Sequence, residues 1–391
     1  MLNNPFSPWP SYTEEEASAV HSALLSNKVN YWTGNECRLF EKEFATWCET
    51  KYAIALMNGT VSLDLALKAL GVGVGDEVIV TSRTFLASVS SIVNAGAIPI
   101  FADVSKDSQN ITSEFVREKI GPKTKAIICV HLAGWPCEMD ELMVLADEFN
   151  LFVVEDCAQA HGAKYKGKPV GSIGHVGCWS FCQDKIMTTG GEGGMVTTND
   201  QKLWSKMWSY KDHGKSWDAV YNREHAPGFR WLHDAFGTNW RMTEMQAAIG
   251  RIQLKRMSDW TTQRLENAQK IWQTAKNLSG LRVPLIPKHI LHAGYKSYVF
   301  VDVKAISVDW TRDRIMEEVN RHGVPCYSGS CSEVYLEHAF DSTGFRPAKR
   351  LPNAQGLGET SLMFLVHPTL TVEEIDKTCR VITNVLNEAQ K

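Results

Sequence analysis

The chain has 391 residues, 44% hydrophobic and 22% charged, with a formal net charge of -3. That balance suits a globular protein of roughly two or three units and offers no basic face for nucleic acid or an anionic membrane surface. No apolar run is long enough to span a bilayer, and the opening MLNNPFSPWPSYTEEE lacks the basic-then-apolar order of a secretory leader, so a cytoplasmic location is expected.

Thr13 to Glu16 fits a capping box, and a helical period follows through Leu25. From residue 52 onward, short β-rich runs alternate with helical stretches. The runs at 52–57, 77–81, 97–101, 125–130, 151–155, 176–181 and 194–198 are apolar on both sides, as in strands covered by helices on two faces. The stretches 86–95 and 139–149 read as crossover helices. The alternation predicts an α/β fold with a doubly wound, largely parallel sheet of these seven strands. Residues 205–240 are irregular and Trp-rich. A long helical period then runs from Thr243 towards Leu278 and leads to a smaller C-terminal α+β unit, with VPLIP, YVFVDV and SLMFLV as its strands. The expected division is a large unit over 1–254, including the N-terminal helix, and a small one over 255–391.

Ten cysteines are scattered without a Cys-x-x-Cys pair, most inside apolar runs such as AIICV and GCWSF. They are expected to pack as free, small hydrophobes, and no metal site is expected.

In an open α/β sheet, ligands bind beyond the carboxyl ends of the strands, so polar residues just past each run are the candidates. Asn58-Gly59-Thr60 follows the first run and opens an apolar helical stretch. Such a turn is either a plain N-cap or a set of free N–H groups at a helix N-terminus, suited to phosphate. Asp156 closes the fifth run beside Cys157 and Ala158. A carboxylate there is costly unless a cation meets it, and a protonated pyridine nitrogen is one such cation; Glu155 competes for the same role. Cys182-Gln183-Asp184-Lys185 follows the sixth run and precedes IMTTGGEGG. Burial and nearby positive charge make a lysine nucleophilic. The glycines are not followed by Lys-Ser/Thr, against a P-loop. Gly71-Val-Gly73-Val-Gly75 precedes a strand instead of following one, against a dinucleotide site. A phosphate turn, an acid at one strand end and a lysine at a later one are together the three contacts that pyridoxal 5'-phosphate (PLP) requires. Tyr31 and Trp32, before Gly34, are candidates for substrate contact or for packing. Lys211, His213, Arg230 and Arg241 are candidates for phosphates or a donor carboxylate, or are solvated surface charges. His131 and His161 read as structural histidines.

The segments NGTVSLDLALKALGVGVGDEVIV, TFLASVSSIVNAGAIPIFADV, VVEDCAQAHGAKYKGKPVGSIG, WSFCQDKIMTTGGEGGMVTTND and NWRMTEMQAAIGRIQL, in this order, resemble the DegT–StrS group of PLP-dependent sugar aminotransferases. The resemblance runs from about residue 10 to the C-terminus and is densest over 50–255. It implies an aspartate-aminotransferase-like fold of type I. It further implies Lys185 as the Schiff-base lysine, Asp156 as partner of the pyridinium nitrogen, Gln159 near the ring hydroxyl and Phe85 stacked on the ring. Gly59, Thr60 and Ser180 match phosphate contacts. Asn239 matches a phosphate ligand supplied by the neighbouring subunit, which implies a homodimer with shared active sites. A lysine at 185, where some members carry histidine and act as sugar dehydratases, implies transamination. L-glutamate is the implied donor and a nucleotide-linked keto sugar the implied acceptor. Glu192-Gly193-Gly194 resembles members acting on 4-keto sugars, while Thr189-Gly190-Gly191-Glu192 carries one glycine more than the commoner pattern. Two other readings stand beside this one: amination of a keto-cyclitol, and a PLP-binding regulatory protein without turnover.

Overall fold

The computed structural model describes residues 6–224, 227–228 and 230–390. The capping box forms as expected: the Thr13 N–H donates to Glu16 Oε2 at 3.0 Å and starts α1 (Glu14–Leu25). After α2 (Glu36–Trp47) the alternating region gives β1 (Tyr52–Leu56), α3 (Gly59–Ala69), β2 (Glu77–Thr81), α4 (Ala87–Asn94) and β3 (Ile98–Ala102). It continues through α5 (Ser113–Arg117), β4 (Thr124–Val130), α6 (Met139–Phe149), β5 (Phe152–Asp156), β6 (Lys164–Tyr165) and β7 (Lys168–Pro169). Then come β8 (Val176–Ser180), β9 (Gly194–Thr198), α7 (Gln201–Tyr210) and α8 (Trp217–Tyr221).

All seven predicted runs join one sheet, in the order β1-β9-β8-β5-β4-β2-β3. The pairs β8–β5, β5–β4, β4–β2 and β2–β3 are parallel. Strand β9 is antiparallel to both β1 and β8, so it alone runs backwards. The reversal follows from connectivity: β9 returns beside β8 through the loop that carries Lys185, without a crossover helix. The other six strands present their carboxyl ends along one edge. Their apolar residues, such as Ile54, Ile79, Ile128, Val154 and Val176, lie in a buried core beneath the flanking helices.

The long helical period becomes α9 (Glu244–Lys276), opened by a second capping box between Thr243 and Gln246. It runs unbroken through 254 and 255 and serves two cores. Ala247, Leu254 and Met257 pack with Phe40, Phe44, Trp179 and Phe181. Ala268, Ile271, Trp272 and Ala275 pack with the C-terminal elements. Those elements are β10 (Leu281–Arg282), β11 (Ile290–Leu291), β12 (Ser297–Val301), α10 (Arg312–Arg321), β13 (Cys326–Tyr327), α11 (Pro352–Thr360), β14 (Ser361–Phe364) and α12 (Val372–Ala389). Their sheet has the order β10-β12-β14-β13, and β11 pairs instead with β6, in the order β11-β6-β7. YVFVDV and SLMFLV supply β12 and β14. The expected strand VPLIP does not form: Pro284 and Pro287 have no N–H to give a ladder. All ten cysteines are free. Among the described residues no helix is long and apolar enough to cross a membrane.

Candidate active site

Four strand ends bring the expected residues together. Lys185 follows β8 in a tight turn, its N–H donating to the Cys182 carbonyl at 3.1 Å. It lines a cleft of about 600 Å³ with Phe85, Gln159, Asp184, Tyr295, Lys296, Tyr298, Tyr327 and Ser330 among others. Its Nζ lies 3.3 Å from Asp184 Oδ1.

Asp156 is the buried end of β5. Its Oδ2 accepts from Ser88 Oγ at 2.7 Å and its Oδ1 from the Ala158 N–H at 3.1 Å. Ser88 is in turn within 2.8 Å of Thr84 Oγ1. Burial pushes the Asp156 carboxyl above its ordinary range, and the hydrogen bonds and the Lys185 cation only partly offset it. The strand end therefore holds a carboxylate that a further cation would stabilise. Glu155 is no longer a competitor. Successive strand residues face opposite sides, and Glu155 turns away to a closed network. Its Oε1 accepts from the Ile173 N–H (2.9 Å) and the Gly174 N–H (2.6 Å), its Oε2 from the Gly171 N–H (2.7 Å) and His131 Nε2 (3.0 Å).

Gln159 is fixed by the Ala133 N–H, which donates to its Oε1 at 2.8 Å. Phe85 leaves 71% of its surface exposed at the cleft. An aromatic ring kept open there is available for stacking. Gly59 opens α3 against the end of β8. A Cβ at 59 would run into the Ser180 Cβ and lie 2.8 Å from its Oγ and 3.0 Å from its Cα. Only glycine lets the helix N-terminus approach the Ser180 hydroxyl this closely, and Thr60 is exposed on the same first turn. The extra glycine before Glu192 has a backbone reason: Gly190 and Gly191 adopt φ of +85° and +117°. Glu192 itself is exposed, 3.8 Å from Cys182 Sγ.

These residues fit PLP. A buried carboxylate without its cation, a lysine in the cleft, an open aromatic ring and a glycine-permitted approach of a helix N-terminus to a serine hydroxyl supply its recognised contacts.

Other candidates are placed elsewhere. Tyr31 is not a sugar contact of the cleft. It is 1% exposed, donates its hydroxyl to Glu41 Oε2 at 3.2 Å and accepts from Trp208 Nε1 at 3.2 Å. Trp32 packs against Tyr31 and Trp208, with Lys215 Nζ 4.4 Å from its ring centre. Lys211 is buried, its Nζ 3.5 Å over the Tyr31 ring and 3.7 Å from Glu41. Arg241 is committed to Asp212 at 2.6 Å, away from the cleft of its own chain. Asn239, His213 and Arg230 are exposed. Asn239 pairs with Asp212 on a segment whose Trp240 carbonyl caps the end of β1 through the Met57 N–H. His161 is buried against Trp179 and Phe181, and burial, then the Lys185 cation, holds it down to about 3, which keeps it neutral.

Three contributors were missed in the sequence. Ser88 lies inside a crossover helix. Trp9 comes from the N-terminal segment, and its Nε1 donates to the Lys185 carbonyl at 2.8 Å. Lys296 immediately precedes β12. All three act through long-range approach, though a lysine at the head of the apolar run SYVFV was a usable hint.

Residues 10–383 match the model of the DegT/DnrJ/EryC1/StrS aminotransferase family. A GDP-perosamine synthase from Escherichia coli O157:H7 is 36% identical, over 97% of this chain and 98% of that protein. An aminotransferase structure from Psychrobacter cryohalolentis is 63% identical and superposes with a TM-score of 0.97, over 99% of this chain and 100% of that one. The DesV protein of S. venezuelae, solved in complex with a ketimine intermediate, is 30% identical with a TM-score of 0.86, over 95% and 94%.

Proposed function

This chain belongs to the DegT/DnrJ/EryC1/StrS aminotransferase family, and from that premise we propose that it moves an amino group from L-glutamate to a nucleotide-linked 4-keto-6-deoxy sugar. The chain is a transaminase and its cofactor is PLP. The observation that carries the reading is the meeting of Lys185, buried Asp156 and the Gly59–Ser180 approach at one edge of the sheet. Glu192-Gly193-Gly194 supports the 4-keto preference, and the E. coli relative, named for a GDP sugar, supports a nucleotide-linked acceptor.

When bound, PLP supplies an electron sink for the carbanion formed at the donor's α-carbon. Lys185 Nζ would hold the cofactor and, as a free amine, would move the proton to and from that α-carbon. Asp156, oriented by Ser88 and the Ala158 N–H, would hold a proton on the ring nitrogen. Gln159 and Phe85 would orient the ring, and Gly59, Thr60 and Ser180 would hold the phosphate. Both substrates use one cleft in turn, so initial-rate lines are parallel.

The enzyme acts as a cytoplasmic homodimer in which Asn239 completes the phosphate site of the partner. Trp231 and Phe236, 88% and 100% exposed on the same loop region, favour such a contact. Its product is an amino sugar for surface glycans such as the lipopolysaccharide O-antigen.

The test supplies L-glutamate with a panel of nucleotide keto-sugars and measures 2-oxoglutarate and the aminated sugar by mass spectrometry. Amination of a 4-keto-6-deoxy sugar supports the proposal. Amination of 3-keto sugars or keto-cyclitols alone overturns the acceptor.

A further inference from the structure

The cleft holds a second lysine for which the chemistry above has no task. Lys296, the residue before Ser297 of β12, lines the same cleft as Lys185. The two ammonium groups share the ring of Tyr295, with Lys185 Nζ 5.6 Å and Lys296 Nζ 4.8 Å from its centre. The Tyr295 hydroxyl donates to Asp184 Oδ2 at 2.5 Å, and Asp184 Oδ1 faces Lys185. The carboxylate of this group is therefore committed, and Lys296 makes no hydrogen bond or ion pair with a described residue.

Arg264, on α9, adds to the imbalance. It is 1% exposed, its Nε and Nη2 have no partner among the described residues, and its guanidinium carbon lies 4.7 Å from the Trp9 ring. Lys185 and Lys296 thus flank the one carboxylate, Asp184, and the Arg264 cation lies near enough to Lys296 to act on it. His161, His292 and His367 contribute no charge, since burial holds each down to about 3. Burial, then the Arg264 cation, brings the Lys296 ammonium down to about 8. Unpaired charge in a desolvated cleft is costly until an anion enters. The cofactor phosphate is not that anion, because its contacts lie at the ends of β1 and β8. Tyr298 stands beside Lys296 with a proton to give: its hydroxyl oxygen already accepts from the Ser330 N–H at 2.9 Å.

Resting on the transaminase reading, we propose that Lys296 is the oxyanion-binding residue of the cleft, taking either a carboxylate of the amino donor or the diphosphate of the sugar nucleotide. Lysine suits this as a point charge that meets either anion without demanding bidentate geometry.

The experiment titrates glutarate and inorganic pyrophosphate into the cofactor-loaded enzyme by calorimetry, for wild type, Lys296→Met and Lys296→Arg. Lys296→Met keeps an apolar stem without the charge, and thermal melts establish that it is folded. It is expected to weaken one probe by about 10- to 100-fold, the range for losing a charged hydrogen bond, with Lys296→Arg recovering most of it. Loss of glutarate binding assigns the donor carboxylate, and loss of pyrophosphate binding assigns the acceptor diphosphate. Equal binding of both probes by wild type and Lys296→Met overturns the proposal, as does a wild-type enzyme that binds neither. Absence of lysine-bound cofactor absorbance in wild type would count instead against the transaminase reading. Its presence together with unchanged probe binding counts against Lys296 alone.

Discussion

Adjacent carboxylates at the end of β5 are assigned opposite tasks, and Glu155→Gln separates them. Glu155 Oε1 takes two backbone N–H groups, and Oε2 takes one N–H and His131 Nε2. A carboxamide keeps only one acceptor oxygen, so its NH₂ must face one of the two pairs. If it faces Ile173 and Gly174, two buried N–H groups lose their acceptor. If it faces Gly171 and His131, the ring cannot compensate by changing tautomer, because His131 Nδ1 already accepts from the Cys137 N–H at 3.0 Å. Two orphaned donors at about 1–3 kcal/mol each give a loss of about 2–6 kcal/mol, set against a total of roughly 5–15 kcal/mol for a typical fold. Urea unfolding at fixed protein concentration reads the loss as a lower midpoint. Surviving folded protein should retain the cofactor absorbance and its response to glutamate. A variant with the wild-type midpoint but no cofactor absorbance would refute the assignment and make Glu155 the cofactor's partner.

The remaining predictions concern neighbouring groups. Asp156 titrates above its ordinary range in the fold, so its ionised form costs stability at neutral pH until a cation meets it. Asp156→Asn should therefore leave the cofactor-free protein at least as resistant to urea while lowering turnover by about 100-fold or more, as expected for a group acting on the electron sink. Glu155 runs the other way: although burial opposes it, His131 and the loop amides hold it below 4.5. Its stabilisation is present above that pH and is lost as acid carries the group through its folded value, so Glu155→Gln should flatten the acid limb of a stability–pH curve. Phe85→Ala, which removes the exposed ring, should weaken cofactor affinity by about 2- to 10-fold, measured by absorbance titration. Tyr31→Phe should cost about 1–2 kcal/mol in urea by orphaning the Glu41 and Trp208 contacts. Its turnover should remain that of wild type, and a tenfold loss of turnover would return Tyr31 to the site.

Much of the fold was legible because it is written in local pattern. The seven runs are apolar on both faces, and the Thr13 box marks a helix start through residues three apart. Lys185, Asp156 and Gly59 were legible for a related reason: the carboxyl ends of parallel strands converge, so residues just past a strand share an edge. The reversed direction of β9 was not legible, because no local signal distinguishes a strand reached by a loop from one reached by a crossover. VPLIP has strand composition, but its prolines remove the donors that a ladder needs. Tyr31 and Trp32 carried no cue to exposure. Their packing is decided by Trp208, Lys211 and Lys215, far away in sequence. Trp9 reaches Lys185 from the N-terminal segment and Lys296 reaches the cleft from beyond α9, and only the assembled chain brings them there.

The most direct test of the central claim is the absorbance spectrum of the purified enzyme supplied with PLP, followed as L-glutamate is added and compared with Lys185→Ala. The account predicts a lysine-bound cofactor band in wild type that disappears into the amino form with glutamate, and no such band in Lys185→Ala. A wild-type protein without the band, or a Lys185→Ala protein that keeps it, would contradict the assignment of Lys185.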